Sequence, residues 1–295
     1  MSTAPGSAGE HGSAVKRGHV DLHAHSTASD GSQAPAAAVA AAHAAGVAAL
    51  ALTDHDTLGG IAEARAAAEP LGLRLVPGVE LSVHHLDHEV HLLGLHIRDV
   101  DAMQDELEVY RTRRTARAVS IVGKLNALGV HVNMDAVLAQ AAGGAVGRPH
   151  VAKALIAQGA VRDAREAFDR YLGAGKPAYV GKERLEIAQG IALIHRAGGI
   201  AVLAHPAGEG RREVLEPLAA AGLDGVEIRH PSHSAEDIRR LTALAEFLSL
   251  VPSGGSDWHG ATKGGRVLGV MQVPLAWLEA QDERVAGVRA LAGAA

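Results

Sequence analysis

An α/β fold built on parallel strands is the class this sequence predicts, and three observations predict it. Short apolar runs recur along the chain, most are followed by Ala-rich helical stretches, and His, Asp or Glu stands at the end of nearly every run. Alternating strand and helix argues for a parallel barrel or sheet. Runs that are apolar on both faces suit strands covered on both sides.

The first run, HVDLHAH (19–25), leads into PAAAVAAAHAAG (35–46), where Pro35 suits a first helical turn and Gly46 a stop. VAALALT (47–53) precedes GGIAEARAAAEPLG (59–72), and LRLVPGVEL (73–81) and HEVHLLGLHI (88–97) follow. GIAVLAH (199–205), LDGVEIRH (223–230) and LSLVPSGGSDWH (248–259) complete seven expected strands. Residues 99–190 break this rhythm. They open with a long amphipathic helix, apolar at Met103, Leu107, Tyr110, Val119, Val122 and Leu125, and contain no comparable strand run. The interval is expected to be a helical insertion subdomain, with 19–98 and 191–295 forming the main α/β unit. Residues 1–18 lack the apolar stretch of a signal peptide and are expected to be a disordered tail.

Bulk properties narrow the function classes. The 295 residues are 47% hydrophobic, enough for a sizeable core, and a net charge of −5 gives no general pull towards nucleic acid or an anionic membrane. No apolar run reaches the roughly 18 residues that span a bilayer, so a soluble, cytoplasmic protein is expected. Aromatics at 2% argue against a long platform for stacked bases. Cysteine is absent, which removes disulfides, thiolate nucleophiles and sulfur-ligated metals.

Histidine, with 18 residues, is abundant. In a barrel, reactive groups gather at the C-terminal strand ends. His23 and His25, two apart, share one side of the first strand, and Asp30 comes from the loop after it. His55 follows the second strand, Glu80 ends PGVE, His91 lies on the fourth strand, His205 ends the fifth, and Asp257 and His259 close SDWH. Any one strand histidine is more often a hydrogen-bonded core residue. Gathering nine such donors in one region is costly without a cation to satisfy them. They exceed the needs of one ion and suit two or three, and imidazole with carboxylate fits Mn²⁺, Fe²⁺ or Zn²⁺. Glu80 has two oxygens with which to bridge ions. His19, His43, His84, His85, His96 and His195 read as surface or packing residues, His88 as facing away from His91, and Asp54 and Asp56 as turn or capping groups.

DLHAHSTASDG, LTDHDT, PGVE, HEVHLLG, VLAHP and GSDWHG together resemble the ordered motifs of the PHP (polymerase and histidinol phosphatase) metallophosphoesterases, over about residues 19–265. Within that family the chain is most similar to the bacterial branch with a helical insertion, which includes nucleoside 3′,5′-bisphosphate phosphatases and RNA 5′-end trimming enzymes. The resemblance implies a distorted (β/α)7 barrel and three metals. His23, His25, Glu80 and Asp257 would hold the first, Asp30, His55 and His259 the second, and Glu80, His91 and His205 the third. Trp258 departs from the Phe common in relatives.

The expected function is a metal-dependent phosphoesterase in which hydroxide held by the metals attacks phosphorus in line, with Asp257, His259 and His205 as catalytic candidates. Substrate contacts are expected from Arg148, His150, Lys176 and Tyr179 in the insertion, where GRPH and GKPAY resemble substrate-approaching segments of this branch. Arg229, His230, His233 and Lys263 are further candidates, since cations suit phosphate. The run Arg111, Arg113, Arg114 and Arg117 reads as a solvated helix face. The expected partner is a nucleotide with vicinal or 3′,5′ phosphates, or another small phosphate ester, with short RNA as an alternative and no membrane or obligate protein partner indicated. Rival readings are a histidinol phosphate phosphatase, a cyclic-phosphate diesterase, a 5′-to-3′ exonuclease on short RNA, a hydrolase of C–N bonds, and a non-catalytic metal-stabilised scaffold.

Overall fold

The computed structural model describes residues 18–86, 88–141, 146–181 and 185–292, so the expected N-terminal tail lies outside the described residues apart from Gly18. In chain order the elements are β1 (His19–Val20), α1 (Pro35–Ala44), β2 (Ala49–Leu52), α2 (Ile61–Ala68), β3 (Arg74–Pro77), β4 (Val79–His85) and β5 (His88–Leu95). Then come α3 (Val100–Ala127), α4 (Met134–Ala141), α5 (Arg148–Ala157), α6 (Ala164–Ala167) and α7 (Ile187–Arg196). The last are β6 (Ile200–Leu203), α8 (Arg212–Ala220), β7 (Gly225–Arg229), α9 (Ala235–Leu248), β8 (Val251–Gly254), β9 (Val273–Pro274) and α10 (Leu275–Ala292). The class is mixed α/β. No helix among the described residues is long and apolar enough to cross a membrane.

The strands form three sheets, in the orders β1-β9, β2-β3 and β4-β5-β6-β7-β8, and not one closed barrel among the described residues. The expected wholly parallel arrangement is also corrected, because β5 runs antiparallel to both β4 and β6. The single run expected over 73–81 divides at Gly78. A Cβ there would sit 2.9 Å from Thr53 Cγ2 and 3.0 Å from Gly94 O, so only glycine lets the chain turn this close to its neighbours. Isolated hydrogen bonds tie the sheets together where the candidate donors lie. Leu22 N donates to Gly254 O, Ala51 N to Asp21 O, Glu80 N to Asp54 O and Asp56 N to Glu80 O.

Two apolar clusters make the core of the main unit, one of them built on Val39, Leu52, Leu81, Leu92, Ile191 and Leu241 and the other on Leu22, Leu93, Val202 and Val273. A separate cluster runs from Ala118 to Ala178. Helix α3 belongs to both territories, since Met103 and Leu107 pack on the main core and Ile121, Val122 and Leu125 on the separate one. Val119, expected on the apolar side, is half exposed. The expected boundary at 190 falls within α7, whose Ile187 and Ile191 pack on the main core.

Candidate metal centre

After β1 the chain stays extended, and Leu22 and Ala24 enter the apolar clusters while His23 and His25 take the other side. Both imidazoles are fully buried, with their Nε2 atoms 3.1 Å apart. Glu80 Oε2 lies 3.1 Å from each of them. Its Oε1 reaches His91 Nδ1 at 2.7 Å and His205 Nε2 at 2.9 Å, and Oε2 is 3.4 Å from His55 Nδ1. One carboxylate, 1% exposed, therefore meets five imidazoles from four chain segments. Asp257 Oδ1 is 3.2 Å from His25 Nε2, and His259 Nε2 is 3.2 Å from Asp30 Oδ1.

Donor atoms within 4.8 Å of one another form overlapping groups: His25, Asp30, His55 and His259; His23, His25, Glu80 and Asp257; His55, Glu80 and His91; and His23, Glu227 and His230. His205 joins the third through Glu80. These residues fit divalent ions by their chemistry, being imidazoles and carboxylates without sulfur. They fit by an unmet need as well, because His25 Nδ1 is buried with no hydrogen-bond partner inside the first group.

Electrostatics bind the cluster tightly. Burial alone would lower the His23 pKa, but the Glu80 and Glu227 carboxylates overcome it and hold the imidazole well above its usual range. His25 is likewise opposed by burial, yet Asp257 and Glu80 push it up to about 9. Burial works to raise Glu80, and the surrounding imidazoles reverse this and hold it well below the usual carboxylate range. Asp30, against burial, is lowered to about 2 by His259 and His55. Burial also lowers His55, with His25 and His91 opposing the pull of Glu80.

The flanking residues position these donors. Asp54 accepts from Ser26 N, Ser26 Oγ and Ser29 Oγ, which pins the loop that presents Asp30. Asp56 accepts from Ser82 N and Oγ, and from Arg114 at 2.5 Å. Asp21, fully buried, accepts from Ser256 N and Gly269 N and so ties the segment before Asp257 to the first strand. At Gly255 a Cβ would lie 2.4 Å from His23 N, so no other residue fits between the two ligand-bearing segments. His205 (φ 28°) and Asp257 (φ 50°) both occupy left-handed backbone that L residues rarely adopt, a strain found where geometry is held for function.

Two contributors escaped the sequence reading. Glu227, 0% exposed on β7, places Oε1 3.1 Å from His23 Nδ1 and accepts from His205 N at 2.7 Å through Oε2. It thus orients one imidazole and holds the strained backbone of another. Glu227→Gln is expected to weaken metal affinity about 10- to 100-fold with the fold intact, as loss of an orienting carboxylate does. Competition against a chelating dye reads this directly, and an unaltered affinity would show that Glu227 is mere core filling. Arg266 is the other: with His230 it contacts Asp257 Oδ2, leaving Oδ1 to face His25.

The expected substrate contacts separate into two sets. A cleft of about 590 Å³ is lined by Asp30, His55 and His91 on one side and by Arg114, Arg117, Arg148 and His150 on the other. Tyr179 supports it, its ring 5.3 Å from the Arg148 guanidinium. His230 is buried against Asp257. The rest are corrected. Arg229 donates to the Met271 and Gln272 carbonyls and lies over Trp277, beyond a register shift in β7 that separates it from Glu227. His233 is spent bridging backbone, with Nδ1 donating to Ile228 O and Nε2 accepting from Ala207 N. Lys176 and Lys263 are exposed and do not line the cleft. Conversely, Arg114 and Arg117, expected on a solvated face, line it.

Known proteins share this architecture. The chain is 38% identical over 261 residues to a 3′,5′-nucleoside bisphosphate phosphatase of Chromobacterium violaceum, covering 85% of this chain and 90% of the relative. It is 40% identical over 245 residues to a 5′-3′ exoribonuclease of Haemophilus influenzae, covering 81% and 89%. A Bifidobacterium adolescentis crystal structure, provisionally named a metal-dependent phosphoesterase, superposes with a TM-score of 0.69 at 31% identity, covering 89% of this chain and 94% of that one. The PHP domain model matches residues 21–180, the stretch that carries His23, His25, Asp30, His55, Glu80 and His91, and the chain belongs to the PHP domain family.

Proposed function

We propose that this chain is a metal-dependent phosphoesterase that releases the 3′-phosphate of a nucleoside 3′,5′-bisphosphate. The observation that carries the reading is one cleft with two chemistries, overlapping metal-donor groups on one wall and, on the other, Arg117 and Arg148, which have no ion pair among the described residues. Arg117 Nε donates to Val180 O and Arg148 Nη1 to Leu172 O, so each is braced by a backbone carbonyl. Arg117 Nη2 is buried with no hydrogen-bond partner among the described residues. Burial first, and then the neighbouring Arg148, push the Arg117 pKa down. Arg114 is already neutralised by Asp56.

His23, His25, Glu80 and Asp257, with Asp30, His55 and His259 beside them and His91 and His205 beyond, would hold two or three ions, with Mn²⁺, Fe²⁺ and Zn²⁺ all suited to the donors. When bound, such ions supply Lewis acidity to the phosphoryl group and a lowered pKa for water. The protein's own part is positional. Arg117 and Arg148 grip the phosphate that is not cleaved, which presents the other to the donor wall. His259 and His205, each about 30% exposed, stand at the open edge of the cluster where a proton passes to the leaving O3′. The bridges between the sheets favour reading the main unit as a distorted (β/α)7 barrel, with 99–190 as the insertion that brings the arginines.

The test is phosphate release by Mn²⁺-reconstituted protein from adenosine 3′,5′-bisphosphate and from adenosine 3′-monophosphate. A kcat/KM preference of about a hundredfold for the bisphosphate, about 2.7 kcal/mol, is expected. Arg117→Ala should remove most of that preference and leave the monophosphate rate unaltered. Equal rates on the two esters in the unaltered protein would sink the two-phosphate grip.

A further inference from the structure

A second chamber opens beside the arginine cleft, along one face of α3. Leu107, Tyr110, Arg114 and Arg117 follow one another at spacings of three and four residues, which sets them in a single stripe of the helix. With Leu185 they line a cavity of about 310 Å³ that shares Asp56, Arg114 and Arg117 with the cleft. This shared edge has two ends. Asp56 follows the metal donor His55 in the chain, and Arg117 stands on the anion-holding wall. A group that leaves the ribose between its two phosphates therefore crosses the edge into the chamber. Apart from Arg117, the guanidinium groups there are already engaged. Asp56 holds Arg114 at 2.5 Å, Glu108 lies 3.7 Å from Arg111, and the Arg113 guanidinium is 5.9 Å from the Tyr110 ring centroid. A further phosphate gains little from charges so occupied. A flat, uncharged ring gains the Tyr110 ring, the buried Leu107 and Leu185 side chains and guanidinium planes to stack on.

Resting on the phosphoesterase reading above, we infer that this chamber seats the base of the nucleoside 3′,5′-bisphosphate, with Tyr110 as the residue on which the base stacks. The volume lies at the lower end of small-molecule sites, which suits one ring system. From Tyr110 to Arg117 is two helical turns, about 10 Å, close to the span of a nucleotide from its base to its 5′-phosphate. With the base in the chamber and the 5′-phosphate on Arg117 and Arg148, the nucleoside is held at two points. Its O3′ is then the substituent turned to the donor wall. The chamber thus selects a nucleoside over a bare sugar phosphate, and it fixes which of the two phosphates meets the metals. Tyr110 packs partly on the main core and is half-buried, so its ring is held in place by the same residues that shape the donor wall.

The experiment is calorimetry on the Mn²⁺-loaded protein, comparing adenosine 5′-phosphate, the product of the proposed reaction, with ribose 5-phosphate. The nucleotide should bind about tenfold more tightly or better, as stacking of one base on an aromatic ring allows. Tyr110→Ala should bring the two ligands to nearly equal affinity, and Tyr110→Phe should keep the preference. Ala116→Trp supplies an independent variant in case loss of the tyrosine disturbs the core. Ala116 is exposed on α3 and lines the chamber, so an indole there fills the space from outside and should collapse the same ratio. Equal affinity for the two ligands in the unaltered protein, or no binding of either, overturns the inference. A preference that survives both Tyr110→Ala and Ala116→Trp overturns it too. These affinities are read without turnover, so failure of the phosphoesterase reading shows separately, as no phosphate release from adenosine 3′,5′-bisphosphate.

Discussion

Glu80→Gln is expected to lower kcat by at least about a thousandfold and to strip most of the bound metal. Losing a single preorganised electrostatic contact commonly costs about 10²–10³, and Glu80 serves more than one ion-binding group at once. Its two oxygens meet His23, His25, His55, His91 and His205, and it belongs to two of the donor groups. The glutamine keeps the volume but removes the charge. The buried imidazoles then lose the group that keeps them above their usual range, and breaking such a buried pair is worth roughly 3–5 kcal/mol. Metal content by atomic emission and single-turnover kinetics measure the two effects. A variant that kept its metal and lost less than tenfold in kcat would remove Glu80 from the centre of the scheme.

The gap in melting temperature between metal-loaded and chelator-stripped protein is expected to widen as pH rises from about 6.5 to about 9. The His25 pKa is raised to about 9 in the stripped protein, against about 6.5 in an unfolded chain. A raised pKa contributes stability that is fully present below the unfolded value and lost as pH climbs through the folded one. Stripped protein therefore weakens across this window, on the order of 3 kcal/mol from this group. Metal binding runs the other way, because ligand imidazoles must be neutral and protons compete less as pH rises. Asp30, lowered to about 2, stays ionised throughout and does not contribute to the change. Scanning calorimetry at several pH values, with and without Mn²⁺, measures the gap. A constant gap would show that no buried imidazole exchanges its proton for metal.

Most of the candidate donors were legible because they stand at or just beyond strand ends, where a strand hands over to a loop; His91, inside β5, is the exception. Their convergence on Glu80 follows from strand order. Glu227 was hidden by its setting. In GVEIR it reads as one polar residue on a strand, and Arg229, which plain alternation would put on the same face, is separated from it by a register shift in β7 that the sequence does not announce. A carboxylate inside an apolar strand was itself the available signal, since such a group is rarely buried without a partner. The antiparallel turn between β4 and β5 was hidden for a different reason. Leu86 adopts φ 55° there, a conformation that turn rules assign to Gly or Asn. The arginines of α3 follow from neither rule, because which face of a helix is covered depends on the remote segment around Val180 that folds back against it.

Helix α3, 28 residues and about 42 Å long, is shared by two cores, and this has a consequence for how such a protein changes over generations. The aim of Arg117 and Arg148 is set by the apolar cluster from Ala118 to Ala178, and the donor geometry by another set of residues around Leu52, Leu81 and Leu92. Substitutions in the first cluster can re-aim the arginines towards a differently spaced pair of phosphates without disturbing an imidazole. The inherited chemistry and the choice of molecule it acts on can thus drift independently, with Asp56, held by Arg114 beside His55, as the stitch that keeps them in register.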